Sequence, residues 1–184
     1  TRRNFLLNQI GFNFSVVESN FQEKINNDLP PNALSETLAR GKALKIAKNY
    51  KNNIVIGADT IVYCSGQVLG KPKDENERFK MLKNLSGKSH EVITGISIIA
   101  FSKGIDHTFN QTTLVTVKNI SNQEIKHYSK KFDGLDKAGG YGIQDGFSLF
   151  VEKIEGCYFN IVGFPIPLFY THYNNLFKSF FRNV

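Results

Sequence analysis

One aspartate interrupts an otherwise apolar strand in the middle of the sequence. Ile54–Ile56 and Ile61–Tyr63 are apolar runs with Asp59 between them, a pattern that predicts a strand covered on both faces. A carboxylate there must be neutralised, paired or bound to a metal. If the predicted turn at Cys64–Gln67 closes a hairpin, it returns Lys71 close to Asp59, and such a pair suits phosphate and metal chemistry. The alternative is an edge aspartate paired with a surface lysine.

A lysine interrupts the apolar face of the helix that precedes this strand, predicted from about Ala33 to Asn49. Lys42 falls on the line formed by Leu34, Leu38 and Ile46, which are spaced so that they share one helix face. Two interpretations are open. The lysine either extends to solvent from the edge of the apolar face, or its ammonium group reaches a buried anion.

Two arginines stand at the start of a short predicted helix that Gly11 ends. Arg2 and Arg3 oppose the helix dipole at that position. Their placement is favourable if they and the helix N-terminus face an anion together. A basic tail is the alternative.

A glycine-rich stretch, Asp136–Gln144, is the second unusual segment. Its glycines allow the backbone to approach a ligand closely. Gln144 offers both a hydrogen-bond donor and an acceptor, which is useful for reading the edge of a base. A glycine-rich turn without a ligand is the alternative.

The remaining elements follow from alternation, apolar periodicity and capping residues. Strands are predicted at Phe12–Val16, Val92–Phe101, Thr112–Val117 and Phe147–Val151, and helices after Asp74, after Ser121 and at the C-terminal end. These elements indicate an α/β protein.

Composition limits the class of partner. The 184 residues include 23 lysines and arginines against 16 aspartates and glutamates, a net charge of +7 that fits a polyanion or a small phosphate substrate. Because the cations are scattered, we expect no nucleic-acid partner. Cys64 and Cys157 lack metal-like spacing and predict reduced thiols in a cytoplasmic protein. No apolar stretch reaches membrane-spanning length, so no membrane association is expected.

A set of motifs along nearly the whole chain is similar to one family. The motifs are Thr1–Arg3, Ala39–Ala43, Gly57–Thr60, Leu69–Pro72, Met81–Leu82, Leu85–Gly87, His90–Val92, Thr94–Gly95, Asp136–Gly139, Tyr141–Gln144 and Asn160–Pro165. Their residues, order and spacing resemble the Maf proteins, nucleoside triphosphate pyrophosphatases first described as septum-formation inhibitors.

The resemblance implies hydrolysis of a nucleoside triphosphate to monophosphate and pyrophosphate with a divalent cation, Mg²⁺ or Mn²⁺. By position in the motifs, Asp59 would be the general base or a metal-positioning carboxylate. Glu23, in a polar loop, would lie beside the metal, and Lys42 and Lys71 would hold the phosphates.

The resemblance also implies a base preference. Arg2, Thr60 and Gln144 match positions that set it, and Asp59–Thr60 and Gly142–Gln144 are similar to the branch acting on dTTP and UTP. Two alternatives remain: a pyrophosphatase for a purine nucleotide or 7-methyl-GTP, and a division inhibitor without catalytic activity.

The fold implied by the resemblance is a single domain over residues 1–184, with a mixed, elongated central sheet flanked by helices, two lobes with a cleft, and a homodimer. Maf proteins usually have a short strand before the arginines, and we expect that strand to be missing from this sequence. Asp145 stands where the family usually has glycine. Gly41, in mid-helix, costs roughly 1 kcal/mol relative to alanine and indicates close packing or a ligand.

Overall fold

A computed structural model describes residues 2–23, 26 and 28–178 of the chain. The helices are α1 (Arg2–Gln9), α2 (Pro31–Ala47), α3 (Glu75–Leu85), α4 (Asn122–Lys131), α5 (Tyr158–Val162) and α6 (Ile166–Phe177). The strands are β1 (Val55–Cys64), β2 (Gln67–Leu69), β3 (Ser89–Ala100), β4 (Ile105–Val117) and β5 (Val151–Glu155). Short 3₁₀ helices span Phe101–Lys103, Ala138–Gly140 and Gly146–Phe150.

The strands form one antiparallel sheet in the order β2-β1-β3-β4-β5. Consecutive strands pair through hairpins at β1–β2 and β3–β4, while α3 connects β2 to β3. The predicted α/β class, a central sheet with flanking helices, is confirmed. None of the described helices has the length and apolar character needed to cross a membrane.

The predicted hairpin after β1 is confirmed. Val62 pairs with Leu69 and Cys64 with Gln67, and Ser65 and Gly66 take the positive φ values of 50° and 82° that a two-residue hairpin turn requires. The chain therefore reverses tightly and returns along β1.

The predicted strand at Phe12–Val16 is wrong, because this segment has no regular secondary structure. Phe12 is buried and packs edge-on against Phe169 and Tyr173 of α6, with ring centroids 5.6 and 5.3 Å away. Val16 is 63% exposed. One aromatic anchor, rather than the apolar face of a strand, thus fixes this segment.

The predicted strand at Phe147–Val151 is also wrong over most of its length. The 3₁₀ helix Gly146–Phe150 occupies it, and β5 begins only at Val151. The carboxylate of Asp145 accepts a hydrogen bond from the backbone N–H of Phe147, 3.0 Å away, and so caps the 3₁₀ turn. This local bond favours the turn over an extended backbone.

The chain forms two compact units. The first unit comprises Thr1–Asp59, Thr94–Gln111 and Gly163–Val184, and the second comprises Thr60–Ile93 and Thr112–Val162. The boundary on β1 falls between Asp59 and Thr60. Two units agree with the two predicted lobes, and the cleft stays a prediction.

In the first unit, α2 packs directly on the sheet because the strands carry glycine beneath it. A β-carbon on Gly57 of β1 would lie 2.6 Å from the carbonyl oxygen of Ala39 and 2.8 Å from the β-carbon of Ala43. Gly95 of β3 is similarly crowded by the backbone of Ser35. Small residues on both sides thus bring helix and sheet backbones together.

We predict that Gly57→Ala destabilises the protein by about 2 kcal/mol, because the added methyl group overlaps the α2 backbone. Thermal unfolding measures the loss. Gly70→Ala is the matched control, since no atom lies within 4 Å of a β-carbon placed there. Equal melting temperatures for the two variants would contradict the close packing of α2 on β1.

Candidate active site

The packing of α2 on β1 places Lys42 against Asp59. Gly57 and Asp59 are two residues apart on β1 and therefore share the strand face that α2 covers. The ammonium group of Lys42 donates a hydrogen bond to Oδ1 of Asp59, and the two side chains are only 19% and 9% exposed. The lysine in the apolar helix face thus has a buried anion as its partner.

Glu23 brings a second carboxylate to the same ammonium group. Its Oε1 lies 2.7 Å from Nζ of Lys42, and its side chain is 43% exposed. The chain before Glu23 is held on α2, because Lys45 donates to the carbonyl oxygen of Asn20. A side chain at Gly41 would overlap the ring of Phe21. Gly41 is therefore explained by close packing, one of the two predicted reasons.

Burial and charge act in opposite directions on Asp59. Burial, the larger effect, raises the pKa of its carboxyl group, and the neighbouring negative charge of Glu23 raises it as well. Lys42, through charge and hydrogen bond, and Arg3, through charge, both lower that pKa. These cations therefore oppose the effect of burial and favour the ionised carboxylate.

Arg3 belongs to the electrostatic surroundings of this cluster and was not among the predicted site residues. Its Nε donates to the carbonyl oxygen of Gly163 across 2.9 Å, and burial lowers its pKa while the charges of Asp59 and Glu23 raise it. Arg2, which was predicted, precedes it at the start of α1. Their pairing in the sequence was the available signal, but it did not distinguish between the two side chains.

The donor set fits a hard divalent cation. Asp59 and Glu23 present carboxylate oxygens around one ammonium group, and Mg²⁺ or Mn²⁺ is commonly held by one or two carboxylates together with substrate phosphates. Within the described ranges, no group of three or more His, Cys, Asp or Glu side chains could hold a metal ion alone. A cation here would need oxygens from the substrate or from water.

The other predicted residues lie in the second unit. Lys71 lies two residues after the end of β2, whose Leu69 pairs with Val62 of β1. The carbonyl oxygen of Gly70 accepts a hydrogen bond from the N–H of Gly139, 3.0 Å away, so the Lys71 loop is joined to the glycine-rich stretch. Gln144 is exposed at the end of that stretch.

The structure therefore brings Asp59 and Glu23 into contact with the same ammonium group, that of Lys42, within the first unit. Thr60 and Lys71 belong to the second unit, and one joint site formed by both groups stays a prediction.

Comparison with known proteins identifies the family. The family model described as Maf-like protein matches residues 1–176. The chain belongs to the Maf family. Curated Maf relatives named dTTP/UTP pyrophosphatase include one from Syntrophomonas wolfei, 43% identical over 169 residues, which are 92% of this chain and 89% of the relative. Those from Thermoanaerobacter pseudethanolicus and Bacillus pumilus are 46% and 44% identical over 167 and 165 residues, in both cases 90% of this chain and 86% of the relative. The predicted Maf resemblance is confirmed.

We predict that Lys42→Met destabilises the protein by about 3 kcal/mol at pH 7, because it leaves a buried carboxylate without its cation. Loss of the cation raises the pKa of Asp59 further. The deficit therefore grows as pH rises through that pKa and shrinks at acidic pH, where the carboxyl group is neutral.

Melting temperatures of the wild-type protein and of Lys42→Met, compared at acidic and at neutral pH, measure this effect. Lys48→Met, at the exposed end of the same helix, is the matched control and should change stability by less than about 0.5 kcal/mol. A pH-independent deficit for Lys42→Met would contradict the ion pair as its cause.

Proposed function

We propose that this Maf protein is a nucleoside triphosphate pyrophosphatase that prefers dTTP and UTP. One observation carries the proposal: a buried aspartate, Asp59, bound to Lys42, which also contacts Glu23. Curated relatives more than 40% identical are named dTTP/UTP pyrophosphatase. A binding protein without catalytic activity has no need for a carboxylate held at such a cost in desolvation.

In the proposed reaction, water attacks the α-phosphorus of the triphosphate. An oxygen–phosphorus bond forms at the α-phosphorus, the bond between that phosphorus and the oxygen bridging to the β-phosphorus breaks, and pyrophosphate leaves with the electron pair. Asp59 accepts the proton of the water. Burial, which raises the pKa of Asp59, makes this carboxylate a stronger base than an exposed one.

The lysines bind and stabilise the phosphates. An ammonium group has three donors, and the two contacts to Asp59 and Glu23 leave a third N–H of Lys42 for a phosphate oxygen. Lys71, on its loop after β2, would bind the leaving pyrophosphate, where negative charge accumulates. Arg2, at the N-terminus of α1, would contribute to substrate recognition.

A divalent cation, Mg²⁺ or Mn²⁺, would be held by Asp59 and Glu23 and by phosphate oxygens. When bound, it supplies positive charge that offsets the charge developing on the phosphates. Thr60 and Gln144 would read the base. A homodimer and a cytoplasmic location, implied by the family resemblance, complete the proposal.

The test is a panel of nucleoside triphosphates assayed with Mg²⁺ or Mn²⁺ in water enriched in oxygen-18. We expect turnover to be fastest with dTTP and UTP, equimolar monophosphate and pyrophosphate, and the label in the monophosphate only. Label in pyrophosphate would place the attack on the β-phosphorus. A preference for purines or 7-methyl-GTP would overturn the base assignment, and absence of turnover would favour a non-catalytic role.

We also predict that Lys71→Met lowers kcat/KM for UTP about 100-fold, through loss of charge stabilisation at the phosphates. Its melting temperature should change little because Lys71 is exposed. Lys73→Met, two residues along the same loop and also exposed, is the control and should retain activity. Equal activities of the two variants would remove Lys71 from the site.

A further inference from the structure

The exposed Gln144 lies in a tight turn whose two ends are held by one hydroxyl group. The N–H of Asp145 donates to the carbonyl oxygen of Gly142, 3.3 Å away, which leaves Ile143 and Gln144 as the two central residues of the turn. Ile143 is buried and Gln144 is exposed. The turn is thus anchored by one central side chain and presents the other.

Tyr128 of α4 binds both ends of this turn. Its hydroxyl oxygen accepts a hydrogen bond from the N–H of Gly142 at 3.2 Å and donates one to Oδ1 of Asp145 at 2.9 Å. A side chain at Gly142 would overlap the carboxylate of Asp145. Tyr128, Gly142 and Asp145 therefore contact one another and fix both ends of the turn that presents the amide of Gln144.

Tyr128 is itself fixed. It is 3% exposed, and the guanidinium group of Arg78 lies 5.2 Å from the centre of its ring. Arg78, fully buried, also donates to the carbonyl oxygen of Gly140 at 2.9 Å. Burial raises the pKa of Tyr128 well above its ordinary value, so the hydroxyl group keeps its proton and remains a donor to Asp145.

A glutamine side chain alone distinguishes uracil from cytosine poorly. Rotation of the amide by half a turn exchanges its donor and acceptor, and so matches either the O4 and N3–H of uracil or the N4–H and N3 of cytosine. Backbone N–H and C=O groups cannot exchange places in this way. Selectivity therefore depends on how rigidly the turn holds the amide and its own backbone groups against the base.

We propose that Tyr128 and Asp145 are positioning residues that fix the turn carrying Gln144 and thereby set the preference for uracil and thymine over cytosine. This inference rests on the proposed function, in which Gln144 reads the base.

The experiment measures kcat/KM for UTP and CTP, and the Kd of UMP and CMP, for matched variants. Tyr128→Phe keeps the ring and removes both hydrogen bonds, so the UTP-to-CTP ratio should fall about three- to tenfold. Asp145→Ala should act in the same way. Asp145→Asn keeps an accepting oxygen for Tyr128 and should restore most of the ratio. Tyr158→Phe, at a tyrosine that is 42% exposed, should leave the ratio unchanged.

Gln144→Ala, measured in parallel, distinguishes a failure of this inference from a failure of base reading by Gln144. If Gln144→Ala lowers the ratio while Tyr128→Phe and Asp145→Ala leave it unchanged, only this inference is overturned. If Gln144→Ala itself leaves the ratio unchanged, base reading by Gln144 fails and the inference fails with it. If Tyr128→Phe or Asp145→Ala lowers the melting temperature but leaves the UTP-to-CTP ratio unchanged, its role is structural alone and the inference is overturned. Where a variant has too little turnover, the ratio of the Kd values for UMP and CMP is compared instead.

Discussion

The ion pair between Lys42 and Asp59 is the constraint on which the first unit depends. A carboxylate that is 9% exposed is stable in its ionised form only beside a cation, and Lys42 supplies that cation only if α2 lies directly on β1. Gly57 permits this approach, and Gly41, which has no side chain, leaves room for the ring of Phe21 to pack against α2. The packing of one helix thus serves both stability and the charge of the proposed base.

In the second unit, hydrogen bonds from buried side chains fix the position of the glycine-rich stretch. Its glycine-rich stretch is held by the buried Tyr141 and Ile143 and by buried polar side chains that bind its backbone. His90 Nε2 lies 2.6 Å from the hydroxyl oxygen of Tyr141, and burial lowers the pKa of His90 to about 4, so this pair is neutral near pH 7. Arg78 and Tyr128 hold the residues on either side. These contacts fix the backbone on both sides of Tyr141.

Residues that break a pattern could be predicted from the sequence. Lys42 and Asp59 each interrupt an apolar periodicity, which indicated that each needs a partner of opposite charge. Their contact with each other was not predicted, since the lysine expected beside Asp59 was Lys71. Glu23 could be proposed only by resemblance, because a glutamate in a polar loop breaks no pattern. Tyr128 was missed because a tyrosine on the buried face of an amphipathic helix breaks no pattern. The strand predicted at Phe12–Val16 was wrong because alternation alone does not show whether a neighbouring strand exists to pair with it.

The most direct test of the account is the rate of pyrophosphate release from UTP by the wild-type protein and by Asp59→Asn, with UMP binding measured on both. Asp106→Asn, in a surface pair with Arg40, is the matched control. We expect that Asp59→Asn folds and binds UMP but loses at least about 100-fold in kcat, while Asp106→Asn retains its rate. A near-normal kcat for Asp59→Asn would contradict the central role of this carboxylate.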